Sequence, residues 1–163
     1  MAGIYIHIPF CKQAGHYCDF HFSTNLSRTH EMVDAITLEI EKRKDYLPKN
    51  SIINTIYFGG GTPSLLSTKQ LEQILETISK HFILDLAELT IETNPDDLKK
   101  EKLKELRRIG FDRLSIGIQS FDANILKFYN RAHNAEESLQ AIDLAKNAGF
   151  EKLSIEKKPL RMR

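Results

Sequence analysis

The chain has 163 residues, 41% hydrophobic and 28% charged, with 23 basic and 22 acidic side chains and a net charge of +1. That length gives one domain with room for a proper core. The balanced charge excludes a broad electrostatic pull toward nucleic acid or an anionic membrane surface. No apolar run reaches the length of a transmembrane span. Met1-Ala2-Gly3 passes straight into a strand-like alternation, with no basic leader and no long apolar core of a secretory signal. A cytoplasmic location with reduced thiols is therefore the expectation.

In chain order, two hydrophobic periods alternate. Gly3 to Ile8 alternates like a strand, with Ile4, Ile6 and Ile8 on one side and Tyr5 and His7 on the other. Met32, Ile36 and Ile40 then recur at helical spacing, and Pro48 follows as a breaker. Ile52 to Phe58 is a second strand, ended by Gly59-Gly60-Gly61. Leu71, Ile74, Leu75, Ile78 and Phe82 form a helical stripe, with Ser67 or Thr68 as its N-cap. Leu86 to Glu92 is a third strand, and Leu98, Leu103, Leu106 and Ile109 line a helix closed by Gly110. Arg113 to Ile118 is a fourth strand, a helix follows from about Glu136 to Asn147, and Lys152 to Ile155 is a fifth strand cut short. Strand–helix repetition of this kind predicts an α/β fold with parallel pairing and right-handed crossovers. Polar and glycine-rich residues cluster after four consecutive strands, which argues for one shared site at the carboxyl ends. Both a (βα) barrel and an open doubly wound sheet place their ligands there.

Several residues carry chemistry. Cys11 and Cys18 lie in a loop directly after the first strand. Thiolates at short spacing suit an iron–sulfur cluster; buried thiols or a disulfide are the alternatives. Gly59 to Ser64 follows a strand and precedes a helix, so it is either a tight turn or a cradle whose backbone approaches a ligand. It is neither a Walker A loop nor a dinucleotide fingerprint. Glu92 ends the third strand, either as a hydrogen-bond acceptor for hydroxyl or amino groups or as an edge charge paired with a lysine. Gln119 would face the same opening, and Arg131 has the planar fork that grips a carboxylate, although many arginines stay on the surface.

In order, the run from Tyr5 to Phe20, then Tyr57-Phe58-Gly59-Gly60-Gly61-Thr62-Pro63-Ser64, Ile91-Glu92-Thr93-Asn94-Pro95, Ser115-Ile116-Gly117-Ile118-Gln119-Ser120-Phe121 and Asn130-Arg131-Ala132-His133 resemble the oxygen-independent coproporphyrinogen III oxidase group of radical S-adenosylmethionine (SAM) proteins. Cys18 is followed by Asp19-Phe20, which is closer to the haem chaperone branch than to the oxidase branch, where a further cysteine is typical. The resemblance implies a partial parallel (βα) barrel, a [4Fe–4S] cluster, S-adenosylmethionine as cofactor and haem or a porphyrin as cargo. It implies Cys11 and Cys18 as metal ligands, matching the first and third positions of Cys-x3-Cys-x2-Cys. Tyr5 and Tyr17 would lie against S-adenosylmethionine, while Gly60, Gly61 and Thr62 would hold its amino-acid end. Glu92, Gln119 and Arg131 would complete the pocket, with Glu156 in place of a family aspartate.

Two departures follow. Gly15 stands where the second cluster cysteine belongs, leaving a substitute such as His16 as third ligand. After Glu156 the family pattern gives way to the basic stretch 157–163. The expectation is an incomplete radical SAM domain over residues 1–156, truncated after the fifth strand, and a divergent basic tail over 157–163. The expected function is haem binding or transfer, impaired here and without turnover. An oxidase-like activity in porphyrin biosynthesis and a non-functional remnant are the alternatives. An open sheet edge would favour self-association.

Overall fold

Alternating β-branched and polar residues build the sheet. In this computed structural model, which describes residues 2–12 and 23–157, the strands are β1 Ala2–Ile8, β2 Ile52–Gly60, β3 Ile83–Thr93, β4 Arg113–Gln119 and β5 Lys152–Lys157. They form one sheet in the order β1-β2-β3-β4-β5, and every neighbouring pair is parallel. Among the described residues strand order follows chain order without reversal or switch point, which is the order of a (βα) barrel segment rather than of a doubly wound sheet. The sheet is wound in the manner of a (βα) barrel segment.

The helices are α1 Thr29–Lys42, α2 Thr68–His81, α3 Lys100–Arg108, α4 Ala123–Phe128 and α5 Ala135–Asn147. Short 3-10 turns over Leu26–Arg28, Pro63–Leu65 and Pro95–Asp97 carry the chain into several of them. Ser67, one of the two expected caps, starts α2 in a capping box with Gln70. Gly110 ends α3 at φ +105°, where Phe111 N reaches back to Leu106 O at 3.1 Å.

Strand pleat sorts the two faces of the sheet. Ile6, Ile8, Ile56, Phe58, Leu89, Ile91, Leu114, Ile116 and Ile118 are buried on one face. They pack with Val33, Leu71, Ile74, Ile78, Leu103, Leu106 and Ala145 of the helices in one hydrophobic cluster. Each large side chain buried there contributes roughly 1.5–3 kcal/mol. The opposite face carries Tyr5 and His7, Tyr57 and Gly59, Thr90 and Glu92, Ser115 and Gly117, and Ser154 and Glu156. A polar face in a parallel sheet, which normally covers both faces with apolar groups, marks where a ligand belongs.

Three elements differ from expectation. β3 begins at Ile83 rather than Leu86, and β5 runs on through Lys157 rather than ending at Ile155. Helix α4 had no apolar stripe to announce it: six residues bury one side chain, Leu126, and Asp122 caps it by accepting from Asn124 N and Ile125 N. At the outer side of β5, Leu153 packs against the core while Ile155 is 41% exposed.

Candidate functional site

The site is built where the strands end. Glu92, second-last residue of β3, points across the polar face toward β2. Its Oε1 accepts from the Tyr57 hydroxyl at 2.8 Å and its Oε2 from Gly60 N at 3.0 Å. Burial first, and then the nearby charge of Glu156, push its carboxyl above the ordinary value, against the lowering effect of these two donors. Burial also pushes the Tyr57 phenol up, followed by its bond to Glu92. Tyr5 stacks on Tyr57, ring centroids 5.8 Å apart, and forms an exposed wall beside them. Glu156 accepts from the Ser115 hydroxyl at 2.9 Å.

The glycine loop proves to be shaped by the protein itself. A Cβ on Gly59 would lie 2.9 Å from both Glu92 Oε1 and the Tyr5 ring; one on Gly61 would lie 2.4 Å from Phe10 O and 2.9 Å from Cys11 Sγ. Gly60 sits at φ +113°, a conformation that favours glycine. Their amides are engaged: Gly60 N by Glu92, Gly61 N by Ile8 O at 2.8 Å and Thr62 N by Phe10 O at 2.6 Å. What the loop offers a ligand is therefore close approach and the carboxylate it orients, rather than N–H donors.

A second group converges over Gly117. A Cβ there would meet Asn94 Oδ1 at 3.2 Å, Gln119 Nε2 at 3.4 Å and an Arg131 nitrogen at 3.5 Å. Arg131 Nη2 donates to Asn94 Oδ1 at 2.7 Å and to Gly117 O at 2.6 Å, and Asn94 Nδ2 donates to Thr62 Oγ1 at 3.1 Å. Gln119, at φ +70°, is buried, and its Oε1 has no hydrogen-bond partner among the described residues. Behind it, His133 Nε2 donates to Ile118 O at 3.0 Å, and burial lowers its pKa.

Tyr5, Gly60, Gly61, Thr62, Glu92, Gln119, Arg131 and Glu156 thus all lie at the carboxyl ends or on the polar face. Tyr17 and Cys18, with Gly15 and His16, lie outside the described residues. Cys11 is buried with its sulfur against Gly61. Among the described residues, no group of three or more His, Cys, Asp or Glu side chains is placed to hold a metal ion. Sequence reasoning did not single out Tyr57, Asn94 and Ser115 as site residues. Their signal was present: each stands in a strand-end motif at the same pleat parity as Glu92.

Known proteins resemble this chain in sequence and in fold. The profile of the radical SAM superfamily matches residues 5–156. The chain is 37% identical over 161 residues to the protein named heme chaperone HemW of Bacillus subtilis, covering 96% of this chain and 42% of that protein. It is 38% identical over 154 residues to the HemW of Lactococcus lactis, at 93% and 39% coverage. Against the oxygen-independent coproporphyrinogen III oxidase of Pseudomonas aeruginosa it is 28% identical over 158 residues, at 94% and 34% coverage. The solved coproporphyrinogen III oxidase HemN of Escherichia coli, described as a radical SAM enzyme, superimposes with a TM-score of 0.84 at 28% identity, covering 94% of this chain and 36% of that one. The chain spans about two fifths of the length of the B. subtilis relative. Among the described residues, no helix is long and apolar enough to cross a membrane. With a parallel sheet wound in chain order, a polar face converging on the strand ends and a profile match over almost its whole length, the chain belongs to the radical SAM superfamily.

Proposed function

We propose that this chain is the S-adenosylmethionine-binding portion of a haem chaperone-type protein of the cytoplasm, with haem or a porphyrin as cargo. The observation that carries the cofactor assignment is the buried Gln119 Oε1, without a partner among the described residues, over Gly117 on the polar face that also carries Glu92 and Glu156. A buried acceptor without a donor costs about 1–3 kcal/mol, and the hydroxyl and amino groups of S-adenosylmethionine are the donors that would relieve it. Residues present therefore fit this cofactor: Glu92, Glu156 and Gln119 toward its donors, Arg131 toward its carboxylate, and the Tyr5–Tyr57 pair as an apolar wall. Gly60, Gly61 and Thr62 would shape the amino-acid end by close approach. Tyr17 is assigned by resemblance alone.

They do not fit a three-thiolate cluster site. The chain has two cysteines, Cys11 and Cys18, and glycine at position 15. In this family the bound cluster and cofactor together supply radical chemistry. The roles left to the chain's own residues are binding and orientation.

The haem chaperone reading draws on the residues after Cys18 and on the names of the relatives. Its rival is the oxidase reading, supported by the likeness to the solved oxidase. Equilibrium dialysis with labelled S-adenosylmethionine, alongside a haem titration followed by absorption, tests the proposal. Saturable binding of both, with cofactor binding lost in Gln119→Ala, is expected. Absence of cofactor binding at millimolar concentration overturns it, and conversion of coproporphyrinogen without haem binding favours the rival.

A further inference from the structure

Cys11 is held from three directions. Its amide donates to Ser23 O at 3.0 Å while Ser23 N donates to Pro9 O at 2.8 Å, closing a parallel bridge between Phe10 and Ser23. From a second side, Thr62 N grips Phe10 O, and Gly61 leaves room for the sulfur. The third hold is ionic and comes from the loop after β3. Lys12 Nζ lies 2.9 Å from Asp96 Oδ2 and also pairs with Asp97. Asp97 is no ordinary surface partner: its side chain is 6% exposed, and Ser64 Oγ donates to its Oδ2 at 2.9 Å.

An exposed ion pair contributes little, but a carboxylate this buried needs its cation, and charge-assisted bonds to it are directional. Asp97 also closes the 3-10 turn Pro95–Asp97 that Asn94 opens, and Asn94 is the residue joining Thr62 to Arg131. One turn therefore touches both the cysteine segment and the pocket.

We infer that Asp97, oriented by Ser64, is a positioning residue that fixes Cys11 through Lys12 and sets it relative to the Arg131 end of the pocket. Its functional meaning rests on the proposed reading of the pocket as the cofactor site, whereas the positioning itself is measurable on the thiol.

The test uses the full chain carrying Cys18→Ser, so that Cys11 is the one thiol, and follows its reaction with a chromogenic disulfide reagent. In Lys12→Met and in Asp97→Asn the reaction is expected to run about tenfold faster, which corresponds to local opening easier by about 1.4 kcal/mol. Ser64→Ala should move in the same direction, and Lys99→Met, which removes an exposed lysine outside the pair, should not. Lys12 is itself partly exposed, so Lys12→Met keeps its fold and decides the matter should Asp97→Asn unfold. Rates equal to the parent in Lys12→Met overturn the inference. S-adenosylmethionine dialysis on the same proteins separates the two readings: a parent that fails to bind refutes the cofactor site and leaves the thiol result standing.

Discussion

Glu92 combines two donors with an unfavourable neighbour. It accepts from Tyr57 and Gly60, yet burial and Glu156 keep its carboxyl above the ordinary 4.5. The folded protein therefore keeps a proton that the unfolded chain has already released. The stability linked to this group is fully present below that ordinary value and is lost as pH rises through the raised one. Urea midpoints measured across this range should show the wild type losing stability relative to Glu92→Gln as pH rises. In dialysis, Glu92→Gln should weaken S-adenosylmethionine binding about tenfold, or ~1.4 kcal/mol. His133 runs in the opposite sense. Burial lowers its pKa from 6.5, so its contribution is present above that value and is lost as pH falls below it. Gly15→Cys adds the thiolate that cluster ligation needs, and anaerobic reconstitution should then retain iron and sulfide far better than the parent. Equal content in both forms would show that another side chain serves as ligand.

At the scale of elements, the helices depend on their caps more than on propensity. Ser67 accepts from Gln70 N and Gln70 Oε1 accepts from Ser67 N. Ser67→Ala should cost about 0.5–2 kcal/mol in urea unfolding. Elements with a clear period were legible: β1, β2, β4, α1, α2, α3 and α5 all fall where spacing puts them, within a few residues at their ends. Short α4 was not legible, because six residues give no repeat to detect and its start depends on one aspartate side chain. The Glu92 end of β3 was legible too. Its early start was not, because Ile83 pairs with Ile52 across a register irregularity that only the neighbouring strand imposes.

For the whole molecule, the two outer strands matter most. β1 and β5 are the sheet's edges among the described residues, and Ile155 on β5 is exposed. Unpaired N–H and C=O groups on such an edge invite pairing with another chain. Sedimentation of the 163-residue chain should show concentration-dependent association, reduced by Ile155→Lys. A single monomeric species at all concentrations would sink this expectation.

The sequence by itself determined the parallel α/β class, the family and the residues that gather at the strand ends. Period and motif order are local properties, readable wherever a few residues repeat. It also determined the cysteine shortfall, since ligand type is a matter of composition. The tertiary structure alone decided how those residues are used. Contacts between segments far apart in the chain turned the glycine loop's amides inward to Glu92, Ile8 and Phe10. Among the described residues they left Gln119 Oε1 without a donor and joined Lys12 to Asp97. Such bonds depend on distances across the sheet, which no spacing along one chain encodes.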